Sequence, residues 1–200
     1  MKVGMIFECG PDGADKKVCE HLARMLLPEI EISSVTLGNK PKLISECGLA
    51  AAQLLGEGCE RVVIVWDLYP PWRKSGQRPC RRADREAIAQ SLSRAGVRSR
   101  RVYLVCIAEE LEAWLLADGR AISAVLSKST HPVDVGDTKK PEQVSNPKKR
   151  LTRIFREKTG RLYVDRVHAE KIIQALSDLN RIKRCATFVR FAIKATGRKP

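Results

Sequence analysis

Two carboxylates close apolar runs in this chain: Glu8 follows MIF, and Asp67 follows VVIVW. A third acidic group, Glu109, Glu110 and Glu112, follows the apolar run that begins at Val102. Each run reads as a strand, and parallel strands present their carboxyl ends on one rim of the sheet. Acids far apart in sequence then share a cleft. Carboxylates crowded together repel one another, which favours a bound Mg²⁺ or Mn²⁺. Such an ion can bind phosphate oxygens, activate water and stabilise a leaving oxygen. The three histidines, His21, His131 and His168, show no metal-ligand spacing. The competing role for any single acid is that of a solvated or helix-capping residue, since Asp and Glu favour helix starts.

The spacing of the third group sets a condition. On a helix, Glu110 and Glu112 point to nearly opposite sides, whereas Glu109 and Glu112 share a face. Leu111, Trp114 and Leu115 form the apolar stripe. If the helix begins near Leu111, Glu110 lies in the preceding turn and can converge with Glu112; Glu110 ranks first as a metal ligand and Glu112 second. Asp12 and Asp15 stand at a helix start near Glu8, where capping is the favoured role. Lys148, Lys149 and Arg150 follow Asn146-Pro147, a helix-start signature. Exposed amides at a helix start bind anions and basic side chains attract phosphate, so this segment and Arg153 are candidates to grip a nucleic-acid backbone. Trp66 reads as a structural strand residue. Trp72, after two prolines, reads as packing or as a base-stacking side chain.

The positioning elements alternate. A strand ends at Glu8, and a helix runs from Asp12 to about Leu27. A strand spans Ile30 to Leu37, and Pro41 opens a helix ending near Gly56 or Gly58. A strand runs from Arg61 to Asp67, a loop covers 72–81, and a helix extends from Arg82 to Ala95. A strand from Val102 to Ile107 leads into the EELEAW helix. This β-α-β-α-β-α-β-α order predicts a mostly parallel sheet covered on both faces. After Asp118 the character changes. Residues 128–147 carry three prolines and no periodicity and read as a loop or lid. Helices are expected at about 147–158, 166–178 and 180–195.

Charge divides the chain at the same place. Residues 1–118 hold 17 Lys and Arg against 16 Asp and Glu; residues 119–200 hold 20 against 7. The second part therefore carries +13 of the total +14 and reads as a surface for polyanions. Two hundred residues suit one domain with an appendage. No apolar run approaches the length of a membrane span. The start MKVGMIFE reads as a strand rather than a signal peptide, which places the expected location in the cytoplasm. Seven cysteines without a C-x-x-C pair argue against a disulfide framework or closed zinc site. Cys9 and Cys80 fall in expected loops. A nucleophilic Cys9 would need a nearby histidine, which no sequence feature supplies.

The pieces FECGPDGAD, VVIVWDLYP, EELEAWLLAD, SNPKKRL and CATFVRF, in this order, resemble a family of small TOPRIM-like proteins often encoded beside ABC- or SMC-like ATPases. These are related in turn to the TOPRIM domains of topoisomerases, primases and OLD-family nucleases. The resemblance spans nearly the whole chain. It implies a TOPRIM-like core over residues 1–118, a basic loop and helical extension over 119–200 packed on that core, and a role in antiphage defence with a partner ATPase. Many TOPRIM domains carry Asp-x-Asp at the second motif; here the residues are Asp67-Leu68-Tyr69. The resemblance implies that EELEAW supplies the replacement acid, and that Glu109 occupies a position where relatives often have His. The expected activity is Mg²⁺- or Mn²⁺-dependent hydrolysis of DNA or RNA. Glu8 acts as base or ligand, Asp67 and Glu110 hold metal with help from Glu112, and Lys148 or Lys149 neutralises phosphate charge. The alternative is a non-catalytic subunit that binds nucleic acid or the ATPase. A small-molecule phosphotransferase fits less well, because the chain has neither a P-loop nor G-x-G-x-x-G.

Overall fold

A computed structural model describes residues 1–71, 78–98 and 100–200. Four strands, β1 (Lys2–Phe7), β2 (Glu31–Thr36), β3 (Arg61–Asp67) and β4 (Val102–Ile107), form one sheet in the order β2-β1-β3-β4. All three pairings are parallel, with Phe7 opposite Val65 and Asp67 opposite Ile107. The central strands are buried on both faces and so read as unbroken apolar runs.

Alternation along the strands builds two cores. Val3, Met5, Phe7, Val63, Val65, Val105 and Ile107 face α1 (Ala14–Leu26) and the helices of the second half. Ile6, Val62, Ile64, Trp66 and Cys106 face α2 (Lys40–Gly56) and α3 (Arg81–Arg94). Gly4 belongs to this second face: a Cβ there would lie 2.9 Å from a Leu54 methyl, so the small residue lets α2 close on β1. Trp66 is structural as expected, with its indole N–H donating to buried Asp84 at 3.1 Å. Trp72 lies outside the described residues.

The chain beyond β4 forms α4 (Glu112–Leu115), α5 (Gly119–Leu126), α6 (Pro147–Thr159), α7 (Asp165–Gln174) and α8 (Ala186–Thr196). These helices share one continuous core with β1, β3, β4 and α1, through Trp114, Leu151, Phe155, Phe188 and Phe191 among others. Helix α5 has no counterpart among the sequence expectations. It is short, and its start depends on Asp118, whose buried carboxylate accepts the Arg120 and Ala121 amides at 2.9 and 3.2 Å. The last helix begins at Ala186 rather than near 180, after a single 3-10 turn over Ile182–Arg184. Glu142 sets that boundary, accepting the Ala186 and Thr187 amides at 2.9 and 2.8 Å. Asp12 does not cap α1; the N-cap is Gly13, without a side-chain cap hydrogen bond.

The proline-rich stretch 128–147 runs as a strap with one bridge, Lys128 to His131, and one 3-10 turn, Pro141–Gln143. Asp137 ties it down by accepting the Gly119 amide at 2.9 Å and pairing with Arg181 at 2.6 Å. Among the described residues no helix is long and apolar enough to cross a membrane.

Candidate functional site

Parallel pairing brings the ends of β1 and β3 side by side. Glu8 is the first residue after β1 and Asp67 the last of β3. One Glu8 oxygen, Oε1, accepts the Asp67 backbone N–H at 3.0 Å. The Leu111 amide beside the Asp67 carboxylate favours its ionised form. The remaining oxygens, Glu8 Oε2 and Asp67 Oδ1, are buried without a hydrogen-bond partner. Both acids line an open cleft of about 480 Å³ with Asp15, Glu110, Glu112, Lys148, Asp165 and Arg166.

The turn after β4 aims the third acidic group. Glu109 takes a left-handed conformation, φ 61°, which a non-glycine residue holds only at a cost of about 1–3 kcal/mol. Its carbonyl accepts the Tyr69 N–H at 2.8 Å, joining the β4–α4 turn to the loop after β3. Glu109 thus contributes backbone geometry and does not line the cleft. Helix α4 starts at Glu112, with Leu111 as its N-cap, so Glu110 remains in the turn. That placement lets Glu110 and Glu112 face the same space despite their i, i+2 spacing. Glu112 is 4% exposed.

The basic segment lies across the cleft. Asn146 is also left-handed, φ 53°, and offers α6 no side-chain cap. Glu110 supplies it instead, its Oε2 accepting the Lys148 N–H at 3.1 Å. The α6 start expected to face a substrate anion therefore holds the chain's own carboxylate. The Lys148 ammonium forms an ion pair with Asp165 at the start of α7. Lys149, Arg150 and Arg153 are on α6 outside the cleft, with Lys149 and Arg150 exposed, and Arg153 pairs with Glu157 at 3.6 Å.

Sequence reasoning missed Asp165, Tyr163 and Lys40. Asp165 is one of only seven acids in the basic half, which is a legible signal. The Tyr163 hydroxyl is buried without a well-formed hydrogen bond; burial and the neighbouring Glu112 charge push its ionisation up. Lys40 is 6% exposed and donates to the Leu68 and Pro70 carbonyls at 2.9 and 2.7 Å, holding the loop that borders the cleft.

Burial dominates the electrostatics. It raises the Glu8 carboxyl to about 7, against the pull of the Lys40 cation and the Asp67 amide. Burial and the Glu8 charge raise Asp15 to about 7. Burial raises Glu112 to about 7, opposed by Lys148. Burial, then Asp15, Glu8 and Glu112, push Asp67 well above the carboxylate range. Cys9, beside this cluster, is held as a thiol: burial and the Asp15 charge raise it to about 12, which removes the thiolate a nucleophile needs. Asp165 moves the other way; burial acts upward but the Lys148 hydrogen bond and charge outweigh it.

Hard oxygen donors, two of them with unpartnered buried oxygens, match the ligand chemistry of Mg²⁺ or Mn²⁺. A dication would relieve the repulsion that raises these carboxyls. As positioned, no three His, Cys, Asp or Glu side chains among the described residues form a group able to hold one ion.

A family model described as "Domain of unknown function (DUF4276)" matches residues 13–193. The chain belongs to that family. No curated protein and no solved structure matches it.

Proposed function

We propose that this member of the DUF4276 family is a divalent-metal-dependent hydrolase of nucleic-acid phosphodiester bonds, with a TOPRIM-like arrangement of acids. One observation carries the reading: Glu8 and Asp67 meet at adjacent strand ends with unpartnered buried oxygens, in a cleft that also holds Glu110, Glu112 and Lys148. An ion bound there supplies Lewis acidity toward a phosphate oxygen and a more acidic water. Asp67, Glu8 and Glu112 would hold it. Glu110 caps α6 through Oε2 alone, so its Oε1 can join the ligand set without releasing that amide. Glu8 would serve as ligand or, where it does not bind the ion, as general base, and Asp15 lines the same cleft within reach of a proton-transfer role. Lys148 lies at the rim, where its ammonium can move from Asp165 to a phosphate oxygen. Lys149, Arg150 and Arg153 extend a basic track along the outer face of α6.

A second reading, a non-catalytic subunit that binds nucleic acid or a partner ATPase, is favoured by two observations. No preformed three-ligand group occurs among the described residues, and Lys148 is already paired. In either reading a role in antiphage defence beside an ABC- or SMC-like ATPase follows from the resemblance alone. The test is a cleavage assay on single-stranded DNA, duplex DNA and RNA with Mg²⁺, Mn²⁺ or chelator, with and without that ATPase. Metal-dependent cleavage lost in Asp67→Asn supports the hydrolase. Binding without cleavage under every condition supports the subunit.

A further inference from the structure

A second cavity, of about 340 Å³, opens between the C-terminal ends of α5 and α6 and the flank of α7. Lys128, Lys158 and Arg161 line it together with His131 and His168, over Val125, Leu126 and the His168 ring that covers buried Phe155. Its lining contains no Asp or Glu among the described residues. Among those residues none of these three cations has an ion-pair partner, although other basic side chains of this half, such as Arg120, Lys148 and Arg181, do.

Helix dipoles explain part of this charge and leave a surplus. A helix C-terminus carries roughly half a negative charge, so two ends offset about one of the three cations. Lys158 stands in the last turn of α6 and suits that role. Lys128 and Arg161 lie beyond the last turns of α5 and α6. The Lys128–His131 bridge, with amide hydrogen bonds of 3.1 and 2.9 Å, fixes those two residues at the mouth.

His168 adds a donor to the lining. Its Nδ1 accepts the Val164 N–H at 2.8 Å, so the neutral ring carries its proton on Nε2. Burial and the charges of Lys171 and Arg161 favour that neutral ring. The ring is held against Phe155 and Tyr163, with centroids 4.8 and 5.9 Å apart.

We propose that this cavity is a nucleotide-binding site, in which Lys128, Lys158 and Arg161 hold a phosphoryl group and the floor of Val125, Leu126 and the His168 ring receives the base. Surplus positive charge calls for an anion, and the aromatic and aliphatic floor calls for a flat apolar body attached to it. A nucleotide joins the two, whether free or as one residue of a strand. The site needs no chemistry from the acidic cleft, so it stands whether or not that cleft cuts.

The test is calorimetric or NMR titration of the full chain at low salt with adenosine 5′-monophosphate, adenosine and a short oligodeoxynucleotide. The comparison uses a Lys158→Glu, Arg161→Glu double variant, with far-ultraviolet circular dichroism and melting confirming its fold. Lys158→Gln, Arg161→Gln serves if the reversal unfolds the chain. The monophosphate should bind and adenosine should bind at least about tenfold more weakly, as expected for losing charged hydrogen bonds. The double variant should weaken the monophosphate by about tenfold or more, and Asp67→Asn should leave it unchanged. If only the oligonucleotide binds, the site takes a strand residue where the double variant weakens it more than reversal of Lys149 and Arg153 does, and equal weakening overturns the proposal. Absence of binding by both phosphate-bearing probes, or binding indifferent to the double variant, overturns the proposal. Monophosphate binding that vanishes in Asp67→Asn would belong to the acidic cleft and overturns it too.

Discussion

Glu8 Oε1 accepts the Asp67 backbone N–H at 3.0 Å, and that bond leaves the other Glu8 oxygen and one Asp67 oxygen buried and unpartnered. Two adjacent parallel strands thereby hold an uncompensated pair of acceptors against Glu112 and Asp15, whose charges add to the repulsion. Buried acceptors without partners cost about 1–3 kcal/mol each, a cost that protons or a cation would offset.

Metal should therefore stabilise the protein. Adding Mn²⁺ or Mg²⁺ at about 100 times its Kd contributes about 2.7 kcal/mol. In a chain of this size that raises Tm by roughly 5–10 °C. Asp67→Asn should abolish the shift in scanning fluorimetry. An equal shift in Asp67→Asn would place the metal elsewhere.

In chelator, stability should fall as pH rises. Glu8 and Glu112 have folded values of about 7 against ordinary values of 4.5, so the folded state binds more protons between those limits. Their contribution is complete below about 4.5 and is lost as pH climbs through about 7. Urea melts at pH 5 and pH 7.5 should show the wild type weaker at the higher pH. Glu112→Gln should flatten that difference, because its amide does not ionise.

Glu110 and Lys148 should separate by readout. Glu110→Ala removes the carboxylate that caps α6 and should cost about 0.5–2 kcal/mol. Lys148→Ala breaks an ion pair whose partners are 46% and 38% exposed, worth no more than about 1 kcal/mol. Cleavage should nevertheless drop more in Lys148→Ala, measured as kcat on a fixed oligonucleotide. Equal activity in Lys148→Ala and wild type would remove Lys148 from the chemistry.

Salt should report the grip. Reversing charge at Lys149, Arg150 and Arg153 should weaken nucleic-acid binding and flatten the plot of log K against log salt. The slope should fall by somewhat under one unit for each phosphate no longer neutralised. Asp67→Asn in chelator should leave that slope unchanged. Fluorescence anisotropy across a salt series measures both.

Glu142 should matter to folding rather than activity. Its carboxylate accepts two α8 amides and the Thr187 hydroxyl, which itself accepts the Trp114 indole N–H at 2.8 Å. Glu142→Ala should cost about 1–3 kcal/mol in urea melts. Full stability in that variant would mean α8 is capped otherwise.

The sequence by itself determined the elements that have strong local signals. VVIVW, mostly β-branched and stopped by Pro70 and Pro71, is the chain's best buried-strand signal, and the strand-helix alternation through EELEAW points to a parallel sheet. Parallel pairing in turn is enough to place Glu8 and Asp67 on one rim. Tertiary structure decided the rest. Whether Glu110 and Glu112 share a cleft depends on where α4 begins, and a left-handed Glu109 tied to Tyr69 sets that point. Whether the α6 start is open to an anion depends on Glu110, 38 residues away. Asp165 and Tyr163 reach the acids because the basic half shares one core with the first, through Trp114, Phe155 and Phe188. Periodicity and composition report a residue's own neighbours along the chain. Long-range caps, ion pairs and cavity walls arise only when distant segments are brought together, and no local pattern encodes which carboxylate will meet which amide.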